Sequence, residues 1–315
     1  MTTGLQPPPV APAVVRAEKP HRVRTPGGRP LWLMAPTLIL LTLIIVVPFL
    51  LAVVMSFLDL DQYTLRSWIS APLVKFDNFA ESLQTSGLLH SLWISVAFSV
   101  LTTVVCAPIG LMAALAVNTP FRGRFLVRSL FLIPYVLPSF VTATVWRFIL
   151  QPSGAFNHFL SLFGIDGGQW LIGDHTFWAL VIVDIWAGWP FVYLMTIAGL
   201  QSVPNELYEA ADMDGVTWVE KIRYVVLPQI RNQLFLGLLL STLAHFNNFT
   251  LPFVLFGTPA PDPVLTLPVN IYQTSIQTFR FGLGAAMSVL SLILLLIPAI
   301  FYLRASKLTA AAGVD

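Results

Sequence analysis

The chain of 315 residues is 56% hydrophobic and only 10% charged, with a mean hydropathy of +0.78, whereas soluble domains carry roughly a quarter charged residues. That composition places it in a membrane, and a net charge of +2 gives no basis for nucleic-acid binding. The one cysteine, Cys106, lies in an apolar run, so an intramolecular disulfide is excluded and its role reads as packing.

Residues 1–30 are rich in Pro, carry Arg16, Lys19, Arg22, Arg24 and Arg29, and show no apolar periodicity, which predicts a disordered tail. A cleaved signal peptide would have a shorter apolar core nearer the start, so the run from Leu31 reads as an uncleaved span. A bilayer core needs about 20 apolar residues per helix. Six segments qualify: 31–57, 89–117, 125–150, 175–199, 233–256 and 283–304. The predicted fold is all-α and polytopic, with a six-span domain over 31–310. Pro48, Pro108, Pro134, Pro138, Pro190 and Pro298 fall inside those segments and predict kinked helices packed in protein.

Thirteen of the seventeen Lys and Arg residues fall in the tail, the 118–128 turn, the 201–232 loop and the C-terminus. The opposite side holds Arg66, Lys75, Arg147 and Arg280. The positive-inside rule therefore predicts that both termini and the 201–232 loop are cytoplasmic, with 58–88 and 257–282 outside. The 201–232 loop contains ELYEAADMDGVTWVEKIRYVVLP, residues 206–228, with five of the fifteen acidic residues. Good helix formers after Pro204, a break at Gly215 and resumption at VTWVEKIRYVV predict two short helices joined at the glycine. Leu207, Ala210, Ala211 and Met213 recur at helical spacing on the first, and Val216, Val219, Ile222 and Val226 on the second. Those apolar faces need a cover, either the bundle itself or another protein.

Glu209-Ala210-Ala211, then Gly215 after three residues, then Val225 and Leu227-Pro228, resembles the EAA loop of bacterial ABC importer permeases, with Val in place of Ile. KFDNFAESL, RSLFLIPYVLPSF and FGLGAAMSVLSL resemble other landmarks of the carbohydrate-importer permeases. PSFVTATVW, WPFVYLMTIAGL and FNNF are most similar to the maltose-type, or MalF-like, members. The usual Gly-Gly-Pro after the fifth span is replaced here by FGTPAPDP. The resemblance implies a type I ABC importer permease fold in a bacterial plasma membrane. It implies three kinds of partner: a second homologous permease, an ABC ATPase dimer docked on the loop, and an extracytoplasmic solute-binding protein. The substrate implied is a maltose- or trehalose-like di- or oligosaccharide. The loop residues implied to couple to the ATPase are Glu209, Ala210, Ala211, Asp214, Gly215, Leu227 and Pro228.

Asp184 is the one acidic residue well inside a predicted span, which makes it a functional-site candidate, with a purely structural pairing as the alternative. Gly188 and Phe191 follow at i+4 and i+7 on the same helix face. A carboxylate beside a gap and an aromatic ring suits a sugar. On the fifth span Ser241, His245 and Asn248 share a face, as either glue between helices or the polar lining of a cavity. The resemblance to maltose-type permeases places the sugar site on these two faces, at Asp184, Gly188, Phe191, Ser241, His245 and Asn248. Asp184, Phe191 and His245 stand where that group has Asn, Tyr and Asn.

The chain has no phosphate-binding GxxxxGK[ST] loop, no GxSxG element and no paired metal-ligand spacing. The reading is therefore a non-catalytic subunit without cofactor or metal of its own, with ATP and Mg held by the partner ATPase. Competing readings are a permease for glycerol phosphate or another small polar solute, a secondary transporter coupling protons through Asp184 and His245, and a membrane scaffold.

Overall fold

The computed structural model describes residues 34–311; the basic tail predicted over 1–30 lies outside them. The described residues are helical, without strands. α1 runs over Ala35–Met55 with a π turn at Thr42–Val46. α2 (Asp77–Gln84) precedes α3 (Leu88–Ala116), and a turn leads to α4 (Arg124–Val136) and α5 (Ser139–Ile149). α6 (Ala155–Ser161) and α7 (Thr176–Leu200) follow. α8 (Asn205–Met213) and α9 (Trp218–Glu220) form the charged loop; α9 passes through a π turn, Lys221–Val226, into α10 (Leu227–Phe246). α11 (Thr250–Phe256), α12 (Leu267–Tyr272) and α13 (Phe281–Ala311) complete the described chain.

Four helical stretches among the described residues are long and apolar enough to cross a bilayer: Ala35–Met55, Leu88–Ala116, Gly173–Leu200 and Trp218–Phe256. The segment predicted as one span at 125–150 is instead α4 and α5, bent by 88°. The cause is local: Leu137, forced out of helical geometry by the following Pro138, has φ −65° and ψ 133°, and Pro138 continues extended. The second loop helix is likewise not a separate short helix, because it continues without a sharp bend into α10. The predicted fifth span is interrupted after Phe246, at Asn247–Phe249, before α11.

The bundle is organised around α3 and α7. Ser91, Ser95, Ser99, Thr103, Cys106, Gly110 and Ala114 form a buried stripe of small residues along α3. Such a stripe lets helix backbones approach closely where lipid offers no hydrophobic drive to associate. At Gly110 a β-carbon would stand 2.7 Å from Tyr193 N and from Val192 Cβ. α10 packs across both helices, and the Thr242 and Thr103 hydroxyls are hydrogen-bonded at 3.1 Å. At one level Phe98, Ala143, Leu180, Val183, Leu251 and Leu255 form a core. At the loop end Ala114, Val117, Tyr193, Ile197, Val226 and Ile230 form another. Along α7 the stretch from Asp184 to Gly188 falls between the two.

The 58–88 segment is tied down at two points. Asn78 Nδ2 donates to the Ser56 and Leu58 carbonyls at 3.0 and 2.9 Å. Glu81 forms a bidentate pair with Arg280, whose guanidinium holds the carboxyl below its ordinary value of 4.5. A lowered native value means this stabilisation is complete above pH 4.5 and is lost as pH falls below it through that native value. Both side chains are partly exposed, so Glu81→Gln should cost under about 1 kcal/mol at neutral pH. Thermal denaturation should show the difference from the unmodified chain vanishing in acid. Gly110→Val should cost about 1–3 kcal/mol by overpacking the α3–α7 seam, read as a lowered Tm.

Candidate functional site

α7 and α10 meet through glycines. A β-carbon on Gly199 would stand 3.2 Å from Ile230 Cβ, one on Gly237 would stand 2.8 Å from Met195 Cβ, and one on Gly188 would stand 2.5 Å from His245 Cε1. The last contact lets the Cε1 edge of an imidazole approach α7 closely. Asp184, His245 and Ser241 are 3, 5 and 2% exposed. His245 Nδ1 faces Asp184 Oδ2 at 2.6 Å, and Ser241 Oγ sits 3.1 Å from His245 Nε2. The imidazole thus stands between the Asp184 carboxylate and the Ser241 hydroxyl, and the ring tautomer sets which of Ser241 Oγ and Nε2 donates. Asn248 Nδ2 donates to Asp184 Oδ1 at 3.1 Å, while Asn248 Oδ1 accepts from Leu251 N at 3.2 Å and so opens α11.

This constellation borders a cavity of about 360 Å³. Asp184, Gly188, His245 and Asn248 line it, together with Tyr135, Ser139, Thr142 and Asn247. Its lining holds one carboxylate, one imidazole, hydroxyls and amides, with no Lys or Arg. Two predicted residues are not among its lining: Ser241 sits against His245, and the Phe191 ring packs 6.0 Å from that of Tyr135. Tyr135, Ser139 and Thr142 were missed. The signal available was the proline pair Pro134 and Pro138, four residues apart, which opens the helix there and turns those side chains onto the cavity.

The second group of predicted residues lies apart from the cavity, on the loop. Gly215 has φ +68°, a left-handed turn that suits glycine, and it ends α8. Thr217 and Glu220 then form a capping box, and the Thr217 hydroxyl and N–H lower the carboxyl of Glu220. Lys221 pairs with Asp212 across the turn, fixing the two helices relative to each other. Glu209, Ala210, Asp214 and Gly215 are exposed beside Met213, Trp218 and Val219, which are 88, 66 and 64% exposed. Ala211, expected on the outward face, is instead buried, at 6% exposure. Leu227 packs against the Val226 and Ile230 core, and Pro228 occupies the first turn of α10.

Residues 107–307 match the family described as binding-protein-dependent transport system inner membrane component, and the chain belongs to it. It is thus a multi-pass membrane permease of a binding-protein-dependent importer. It is 32% identical to the trehalose/maltose transport system permease protein MalF of Thermococcus litoralis, over 75% of this chain and 80% of that protein. It is 28% identical to the sn-glycerol-3-phosphate permease UgpA of Brucella abortus, over 87% of this chain and 93% of that protein. In fold it is similar to a bacterial ABC transporter that imports the acidic polysaccharide alginate, with TM-score 0.75 and 20% identity over 88% of this chain and 96% of that one.

Gly188→Ala should push the imidazole away from Asp184 without disturbing membrane insertion. Transport by the assembled complex should fall at least about tenfold, the size of effect that misplacing a positioned group produces; uptake at the unmodified rate would show that the imidazole's position does not matter.

Proposed function

We propose that this chain is the membrane-spanning subunit of an ATP-driven importer for a neutral di- or oligosaccharide of the maltose or trehalose kind. The observation that carries this reading is the polar cavity bounded by Asp184, His245 and Asn248. Hydroxyl-rich ligands are recognised by a few convergent polar groups in a concave, partly aromatic wall, and Tyr135 supplies such a ring. Similarity to a trehalose/maltose permease supports the same class. A phosphorylated substrate, suggested by the glycerol-phosphate relative, is less well served by a lining with a carboxylate and no Lys or Arg.

In this reading the exposed patch of Met213, Trp218 and Val219, flanked by Glu209 and Asp214, docks an ABC ATPase on the cytoplasmic side. A second permease subunit completes the pathway, and an extracytoplasmic binding protein delivers sugar to the loops at 58–88 and 257–282. Both termini lie in the cytoplasm, as the distribution of Lys and Arg predicts. ATPase closure displaces the loop helices and opens the cavity outward; reopening returns it to the cytoplasm.

Glu209→Ala and Gly215→Val should lower sugar-stimulated ATPase activity of the reconstituted complex at least about tenfold, with the chain still inserted, because docking binding energy is lost. Normal stimulation in both would refute the docking role. Asp184→Ala should abolish uptake of labelled maltose and trehalose while the ATPase remains bound. Uptake of glycerol 3-phosphate in preference to either sugar would refute the substrate class.

A further inference from the structure

The turn between α3 and α4 and the start of α4 gather three arginines, Arg122, Arg124 and Arg128. The carbonyl of Val117, the C-cap of α3, accepts from Arg124 Nε at 2.7 Å and from Arg128 Nη2 at 3.1 Å. One guanidinium is enough to cap an orphan carbonyl at a helix end, where a cation also suits the dipole. Two on the same oxygen are neighbours of like charge, and their repulsion opposes the arrangement. Arg124 is moreover the first residue of α4, an end that disfavours a cation. The sequence has no Asp or Glu from 82 to 165, and among the described residues none of the three arginines forms an ion pair. Glu209 and Asp212 of the loop share a pocket with residues 118–120 of the turn, but Asp212 is held by Lys221.

We propose that Arg124 and Arg128 bind the phosphate of an anionic phospholipid headgroup, with Arg122 at its edge. The site is independent of which solute the importer carries. Each guanidinium spends one donor on Val117 and keeps others for a phosphate, whose oxygens match its planar fork in charge-assisted pairs. What adjoins the arginines selects lipid over a free anion. The span formed by α3 ends at Ala116, so the Val117 carbonyl stands where a helix leaves the bilayer, at the depth of headgroups. Phe125, between the two arginines in sequence, is 85% exposed, and Leu126, Leu130 and Ile133 continue an exposed apolar side along α4. Acyl chains cover such a side, and basic clusters at the end of a span attract anionic lipid. The bound phosphate offsets the repulsion between the two guanidiniums and so holds the start of α4 against the end of α3.

The test is lipid retention by the purified transport complex, followed by native mass spectrometry during titration with phosphatidylglycerol or phosphatidylcholine. The unmodified complex should bind phosphatidylglycerol about tenfold more tightly or better, and the preference should shrink with added salt. In Arg124→Gln, Arg128 still holds the Val117 carbonyl, so the helix end stays capped while the phosphate loses a charged partner. Affinity for phosphatidylglycerol should then fall about tenfold or more, the worth of one charge-assisted hydrogen bond, and Arg124→Lys should recover part of it. Equal binding of the two lipids by the unmodified complex overturns the proposal without any variant. Unchanged phosphatidylglycerol affinity in Arg124→Gln overturns it as well. Displacement of the lipid by inorganic phosphate shows a free-anion site and overturns the lipid assignment. Loss of the ATPase from Arg124→Gln at unchanged lipid retention shows that the arginines face a protein, and overturns it too.

Discussion

Close approach between α3 and α7 is the constraint on which the rest of the bundle depends. Helices in lipid gain little from burying apolar side chains against each other, so association rests on backbone proximity and polar contacts. The small residues along α3 supply the first, and Gly110 sits where α7 leaves no room for a β-carbon. α10 then crosses both, with a glycine at each tight contact to α7. Only at that separation can a side chain from α10 reach Asp184 directly.

A carboxylate in a membrane interior is costly unless its oxygens are occupied. Here Asn248 donates to Oδ1, and His245 Nδ1 stands 2.6 Å from Oδ2, which takes no hydrogen bond from the described residues. Asn248 also accepts the Leu251 N–H in the first turn of α11, so the restart of the helix and one hydrogen bond to the carboxylate depend on the same residue. Two helix breaks, at Leu137–Pro138 and at Asn247–Phe249, border the same cavity. Non-helical backbone is tolerated at membrane depth where it faces a polar cavity rather than lipid. Breaks and cavity therefore imply each other.

Much of this was legible in the sequence. Hydropathy located the long helices at 88–116 and 173–200, and helical spacing put Asp184 with Gly188, and Ser241 with His245 and Asn248, on the faces that meet. What one-dimensional periodicity could not reveal was direction. The prolines at 134 and 138 were visible, but a bend of 88° rather than a mild kink follows from two consecutive extended residues. Phe191 lies at the right spacing from Asp184, yet it does not line the cavity, whereas its aromatic neighbour Tyr135 does. Ala211 was placed among the coupling residues by resemblance to the EAA loop, but alanine suits either side of an amphipathic helix and packing against the bundle buries it.

The continuity of α9, the π turn and α10 has a mechanical consequence. Trp218, on the exposed loop, and His245, against Asp184, belong to one helical run without a sharp bend. At 1.5 Å per residue that run is a rod about 40 Å long, and about a pivot at Gly237, roughly 12 Å from His245, a tilt of about 10° moves the His245 end through roughly 2 Å. The α7–α10 crossing, with its glycine contacts, is the fulcrum. A push on a surface tryptophan need not pass through a chain of rearranging side chains to alter the cavity, because surface and cavity are two ends of one lever.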